Sequence, residues 1–243
     1  MYYVHPNAKI GKNVTIEPFA VIYDDVEIGD DCWIGPHVTI FPGARIGKNC
    51  KIFPGASIAA TPQDLKFEGE YTTAEIGDNN IIREFVTINR GTNASKRTVI
   101  GNNNLIMAYA HVAHDCIVGD NCILANSATL AGHVEVDDYA IIGGQSAIHQ
   151  FCRIGKHVIL MGGSLVDKDI PPYVKGGKFP VSYCGINSVG LSRRGYSTET
   201  INNIGSETAS TIRSRKSRML KAEKIQKALQ CNTDATNCNI EID

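Results

Sequence analysis

Nowhere in the 243 residues do about eighteen apolar residues run together, the length a membrane-spanning helix needs. The opening stretch, MYYVHPNAKIGKN, also lacks an apolar run of signal-peptide length. Both absences point to a soluble, cytoplasmic chain. An excess of one charge is missing too. The formal net charge is −1, and without Lys and Arg clustered over a face there is no electrostatic case for nucleic acid. Aromatic residues make up 7% of the chain and none follows Tyr196, which leaves the C-terminal part little to pack with. Eight cysteines are present, and they read better as reduced packing thiols than as a disulfide scaffold. Cys32, Cys50, Cys116, Cys122 and Cys152 share one recurring place in a repeat, where they alternate with Val, Ala and Ser as small buried residues.

That repeat is the main thing the sequence does have. Of the 27 positions reached by stepping six residues from Ile10 to Val166, 24 are Ile, Leu or Val, and the exceptions are Asp64, Glu70 and Ala94. The fourth residue after each aliphatic is small, as at Ala20, Cys32, Ala44, Cys116 and Ala128, and Gly, Asp or Asn often fills the two places after it. A helix would show a 3.6 period, and one half-buried strand a short alternation by two. A strict six describes short strands with one large and one small inward residue, joined by tight turns. Three such strands close a triangular coil, and stacked coils form a parallel β-helix.

Two segments break the pattern while keeping its phase, residues 59–75 and 89–99. The rod is expected over residues 1–172, ending where Pro171 and Pro172 stop ladder pairing. Residues 173–196 read as irregular. After Ser197, an N-cap with Glu199 in the first turn, the chain reads as helical. The tail beyond about Glu207 is expected to be disordered or loosely helical, and the basic run from Arg213 to Lys227 reads as a solvated face. Aliphatic residues at turn-adjacent sites, Ile106, Met107, Leu160 and Met161, suggest an edge that is buried in a homotrimer.

Three histidines mark the candidate site. His114, His133 and His149 stand two, three and one residues after Val112, Leu130 and Ile148, which are eighteen residues apart, so they are expected to form a column up one edge. An imidazole can take a proton from a hydroxyl at neutral pH, and Asp115 can orient one across adjacent coils. Three imidazoles can equally hold Zn²⁺ with an open position for water, as in a β-helical hydratase. A non-catalytic scaffold is the third reading.

Longer motifs separate these readings. TPQDLKFEGE (61–70), INRGT (88–92), HVAHDC (111–116), LAGHVEVDD (130–138), AIHQFCRIG (147–155), DIPPYV (169–174) and GINSVGLSRRGYS (185–197) together resemble the bacterial UDP-N-acetylglucosamine O-acyltransferases, within the hexapeptide-repeat transferases. The resemblance covers residues 1 to about 205. It implies an all-β, left-handed parallel β-helix followed by a small α-helical C-terminal segment. It also implies a homotrimer that moves a (R)-3-hydroxyacyl group from acyl carrier protein to the sugar 3-hydroxyl of UDP-N-acetylglucosamine, the first step of lipid A biosynthesis, with no metal or cofactor. Carried over by position, His114 is the general base, Asp115 supports it and the Gly132 N–H faces the oxyanion. Asp64 and Lys66 hold the glucosamine, with Gln63 and His133 lining the same pocket. His149 is placed among the substrate-binding residues, and Gln150, Asn187, Arg193 and Arg194 serve the nucleotide diphosphate. Gly162 leaves the acyl groove open and acts as the chain-length ruler. Asn89 and Val189 depart from the family pattern near the uridine, and the sequence after Ile204 departs from its aromatic-containing helices.

Overall fold

The structure is a computed structural model that describes residues 1–177 and 182–213. Short strands, most of two residues, recur every six positions and wind through three sheets in turn. Among the described residues the sheets hold nine, eight and ten strands. The first runs from Tyr3–Val4 to Leu165–Val166, the second from Lys9–Ile10 to Arg153–Ile154, and the third from Thr15–Ile16 to Val174–Gly177, plus an antiparallel strand Ser182–Ile186. Neighbours within a sheet are parallel and usually eighteen residues apart, as in His111↔Thr129 and Val112↔Leu130. Like therefore stacks on like. Ile22, Ile40, Ile58 and Ile88 lie fully buried in one sheet, and the small residues of the repeat fill the corners between sheets.

Most corners turn on a residue in the left-handed region three places after the aliphatic: Asn13, Phe19, Asp25, Asp31, His37, and onward to His133, Tyr139, Gln145, Phe151 and His157. For a side chain other than glycine this costs roughly 1–2 kcal/mol. Stacking along the edge offsets part of it. Phe19 lies on His37 with ring centroids 5.0 Å apart, Phe85 on Tyr109 at 5.2 Å and Tyr139 on His157 at 4.9 Å, all close to parallel. One residue earlier in the turn, the backbone N–H enters no backbone ladder outside the two insertions. Pro18, Pro36, Pro42 and Pro54 occupy that place without loss, and Asp78 and Asn102 give the N–H to a side chain of the next coil.

The same place explains why the rod does not end at Pro171–Pro172. The last coil is two residues short. Ile159 pairs with Lys175 and Leu160 with Gly176, so Pro172 falls on the turn site with the spare N–H, and Tyr173 takes the left-handed conformation. Pro171 lies beyond the end of the second sheet's ladder, where its missing N–H removes no bond. The parallel coil continues to Gly177.

The described residues of 173–196 are more regular than the sequence suggested. Val174–Gly177 and Ser182–Ile186 pair as antiparallel strands, followed by helix α1 (Ser188–Arg193) and helix α2 (Thr198–Arg213). Ser197 Oγ accepts from Thr200 N at 3.1 Å, the expected cap. The helices find partners the composition did not promise: Ile204 and Leu191 bury against Tyr173, with Ile186, Tyr196 and Ile201 around them. Thr208 is buried too, and α2 runs on past Glu207 to Arg213. The rest of the expected tail, and the basic run after Arg213, lie outside the described residues. The insertions are narrower than expected, spanning 61–72 and 90–96 between strands. The five repeat cysteines are buried free thiols, and burial pushes Cys116 and Cys122 up to about 12, which makes them inert packing groups. Ile106 and Leu160 point into the core, contrary to their expected place on an interface. The apolar outer residues are their neighbours Leu105 and Ile159, in a column with Ile81, Ile123 and Ile141 on the third sheet. The second sheet instead faces outward with charge pairs such as Lys9–Glu27 at 2.8 Å and Arg153–Glu135 at 2.9 Å.

Because the terminal cluster is separate from the rod core, Ile204→Ala should loosen the helices alone, with a local loss of about 2–5 kcal/mol. Limited proteolysis should then cut between Tyr183 and Ile204 while the rod melts at its wild-type temperature. Loss of the rod's own transition would show that the two clusters are one cooperative unit.

Candidate active site

The edge between the first and second sheets carries the site. Both insertions leave this edge, since 61–72 joins Ser57–Ala60 to Thr73–Ile76 and 90–96 joins Thr87–Asn89 to Arg97–Ile100. The turns 113–116 and 131–134 lie on the same edge, one and two coils further on.

The three histidines do not form one column. His114 shares its turn place with Gly132, whereas His133 shares the left-handed place with Asp115 before it and Phe151 after it. The ring of Phe151 covers His133 at 4.5 Å, nearly parallel. His149 sits in a third register, exposed, with its Nδ1 3.2 Å from the Gln150 carbonyl. Among the described residues, the donor atoms that fall within 4.8 Å of one another belong to His114, Asp115 and His133, so a three-imidazole zinc site is not what the edge builds.

What it builds is a dyad with a second imidazole beside it. His114 Nδ1 lies 2.8 Å from Asp115 Oδ2, and His133 Nε2 lies 3.8 Å from the same oxygen. The Asp115 side chain is fully buried. Oδ1 accepts from Thr92 N at 2.9 Å, from Ser95 N at 3.3 Å and from Ser95 Oγ, and Oδ2 accepts from Thr92 Oγ1 at 2.6 Å. Burial pushes this carboxyl up, but the bonds from Ser95, Thr92 and His114 outweigh it and bring it down to about 2. A group depressed in the folded state adds stability above its unfolded value, which is lost as pH falls from about 4 towards 2. Asp115 is therefore an anion throughout the neutral range, and an anionic carboxylate can only accept. That assigns the proton to His114 Nδ1 and leaves Nε2 as the basic atom.

Nε2 is held against the next coil. A Cβ built on Gly132 would stand 2.7 Å from it and 2.6 Å from Cε1, so only glycine leaves the ring its place. The Gly132 N–H occupies the turn place that enters no ladder and has no acceptor among the described residues. A proton acceptor and a free backbone donor thus lie side by side, the pair needed to take a proton from a nucleophile and to stabilise an oxyanion.

The other expected site residues are spread around the rod. Gln63, Asp64 and Lys66 lie on the insertion 61–72, at the same edge, with Lys66 N bonded to Asp64 Oδ1 at 3.0 Å. Gln150 is exposed beside His149. Gly162 lies on the edge between the third and first sheets, exposed, aligned with Gly144 below it. Arg193 ends α1 and Arg194 caps it at the remaining edge, where the Arg194 guanidinium stands 5.1 Å over the Tyr139 ring. Asn187, expected to serve a nucleotide, is buried and already used: its Oδ1 accepts from Gly190 N and its Nδ2 donates to the His157 carbonyl. Asn89 is similarly occupied, donating to the Thr61 carbonyl at 3.1 Å across the base of the two insertions. Sequence reasoning missed Thr92, Ser95 and His111. The His111 Nδ1 sits 2.7 Å from Thr87 Oγ1, and its pKa is lowered by burial and by His114.

Known proteins of one family resemble this chain along most of its length. Residues 7–42 and 97–132 fit the family of bacterial transferase hexapeptides, and residues 169–237 fit domain 2 of the UDP N-acetylglucosamine O-acyltransferases. The C-terminal sequence therefore follows the family further than its composition indicated. The acyl-[acyl-carrier-protein]--UDP-N-acetylglucosamine O-acyltransferase of Thiobacillus denitrificans is 48% identical over 82% of this chain and 77% of its own. The UDP-N-acetylglucosamine acyltransferase structure from Bacteroides fragilis superposes with a TM-score of 0.86 at 50% identity, covering 93% of this chain and 88% of that one. That from Francisella novicida gives 0.88 at 42% identity, with coverage of 94% and 84%. With these matches spanning both the rod and the helices that follow it, the chain belongs to the UDP-N-acetylglucosamine O-acyltransferases, and its fold is their left-handed parallel β-helix with a small helical C-terminal part.

Proposed function

We propose that the protein catalyses the first step of lipid A biosynthesis, moving a (R)-3-hydroxyacyl group from acyl carrier protein to the 3-hydroxyl of UDP-N-acetylglucosamine, with His114 as the base. The observation that carries this reading is the pairing of His114 Nε2 with the spare N–H of Gly132, behind a buried Asp115 anion. His114 Nε2 takes the proton of the sugar 3-hydroxyl as its oxygen attacks the thioester carbon. The carbonyl oxygen gains charge facing Gly132 N–H, where a fixed donor is most valuable. The C–S bond then breaks, and His114 returns the proton to the departing thiolate. Asp64, Lys66, Gln63 and His133 receive the glucosamine at this edge. Arg193 and Arg194 suit the diphosphate through paired charge-assisted bonds.

The spread of these residues over three edges supports assembly. In one protomer the arginines and Gly162 lie on other edges than His114, and the third sheet presents the aliphatic column Ile81 to Ile159 outward. Packing three rods in parallel would cover that column and bring one protomer's His114 edge against another's Gly162 or Arg194. Sedimentation should return a trimer, and a stable, fully active monomer would overturn the shared site. The base is tested at His114 itself: His114→Ala should lower turnover by roughly 10² to 10⁴ fold, remove the acid limb of the pH–rate profile and leave the melting temperature unchanged. Near-normal turnover in that variant would remove the base from this mechanism.

Gly162 sets the length of the acyl groove. It is exposed, and a Cβ there would already meet the Gly144 carbonyl at 3.2 Å, so a longer side chain must project outward into the groove. Gly162→Met should shift preference towards shorter acyl donors in a competition assay read by mass, and unchanged preference would place the ruler elsewhere.

A further inference from the structure

We propose that Thr92 and Ser95, on the second insertion, are positioning residues for the base: their hydrogen bonds fix the Asp115 carboxylate so that it holds the proton on His114 Nδ1. The inference rests on the reading of His114 as the base and adds what orients it.

Five donors converge on Asp115, two backbone N–H groups, two hydroxyls and one imidazole N–H. A carboxylate offers about four lone-pair sites, so no room is left for a carboxyl O–H or for a second orientation. The orientation matters because two imidazoles compete for one oxygen: Oδ2 lies 2.8 Å from His114 Nδ1 and 3.8 Å from His133 Nε2. Without the loop, rotation of the carboxylate would bring it nearer His133 and free His114 to place its proton on either nitrogen. The Asp115 backbone is fixed as well, since its N–H donates to Thr98 Oγ1 at 2.9 Å on the strand that leaves the loop. These partners lie 23, 20 and 17 residues before Asp115, so the bracket comes from the preceding coil and not from the turn itself.

An insertion needs internal hydrogen bonds of its own, and this one has them: Lys96 N donates to the Thr92 carbonyl and Ala94 N to Thr92 Oγ1. Those bonds fold the loop. The bonds to Asp115 are additional, and they go to the side chain that hydrogen-bonds His114. The neighbouring left-handed residues of the same edge, His133 and Phe151, have no such bracket and are held by stacking. The bracket is also steadied from outside. Glu70 Oε1 accepts from Asn93 N at 2.9 Å, and the Arg90 guanidinium lies 5.4 Å over the Phe67 ring. The insertion that carries Asp64 and Lys66 thus leans on the one that aligns the base.

Thr92→Val keeps the shape and the N–H but deletes the hydroxyl, and Ser95→Ala deletes the other. Each should lower kcat for transfer from an acyl carrier-protein thioester to UDP-N-acetylglucosamine by about 10-fold, and the pair by on the order of 10² fold. KM for the sugar nucleotide should stay within about twofold, because neither side chain is placed on substrate. The acid limb of the pH–rate profile should move to lower pH in the double variant, since an imidazolium whose carboxylate has turned towards His133 loses the charge that holds its proton. Thr92→Ser, which retains the hydroxyl, should behave as wild type. If the double variant does not fold, ¹⁵N shifts of His114 in Ser95→Ala decide the matter: a mixture of tautomers supports the proposal, and the wild-type tautomer overturns it. An unmoved acid limb with unchanged kcat overturns it as well, as does a rise in KM alone, which would make these substrate contacts. His114→Ala measured alongside separates the two readings. If it is inactive while the loop variants are normal, this inference fails alone; if it is active, the base reading fails first.

Discussion

Everything in this molecule depends on the return of the chain to the same place after eighteen residues. The strand ladder, the buried aliphatic columns and the stacked edges each repeat at that distance, and none is stable alone. Two-residue strands bury almost nothing by themselves. In register, Val112 lies on Leu130 and Leu130 on Ile148, and three sheets close round them. The left-handed corners that make the return possible are unfavourable for Phe19, Tyr109 or His133, and their aromatic stacks repay part of that strain only because the register places ring on ring.

The site uses the same register with a small offset. His114 and His133 are not equivalent positions of successive coils, and the one-residue difference sets them edge to face, ring centroids 5.2 Å apart, around one carboxylate. Gly132 enters because the coil after His114 puts a turn residue with an unused N–H directly beside it. Function here comes from slightly mismatched places on a strictly matched frame. Both insertions then leave the same edge, so the irregular parts of the chain converge where the chemistry is.

The rod was legible because its signal is periodic and long, and the dyad was legible through the family resemblance, since the residues alone had Asp115 reaching across adjacent coils and the structure bonds it first to its own neighbour, His114. The three-histidine column was misread for a physical reason. A residue one, two or three places after the aliphatic faces a different direction in so tight a turn, and counting coils without counting turn places loses that. Pro171 and Pro172 misled for a similar reason. Proline stops a ladder only where its N–H would have been used, and the two-residue shortening that moves Pro172 to a spare place leaves no mark in the repeat. Thr92 and Ser95 were hidden because hydroxyl residues in a loop are the ordinary composition of loops. Their target is known only once the preceding coil is laid against Asp115. The packing of α2 escaped because its aromatic partner, Tyr173, comes from the end of the rod and not from the helix.

The eighteen-residue return also bears on how the chain reaches this state. All-β proteins usually fold slowly, since their strands pair across long stretches of sequence. Here most pairs close at a separation of eighteen in 243, a ratio of roughly 0.07 that lies with helical bundles on the contact-order scale. A new coil can add to the last one as soon as it exists, with no distant partner to wait for. The slow places should be the coils with inserted residues, where Ala44 must find Ala74 thirty positions on and Ile88 must find Val112 at twenty-four. The loops that assemble the site are thus also the points at which the growing rod must pause.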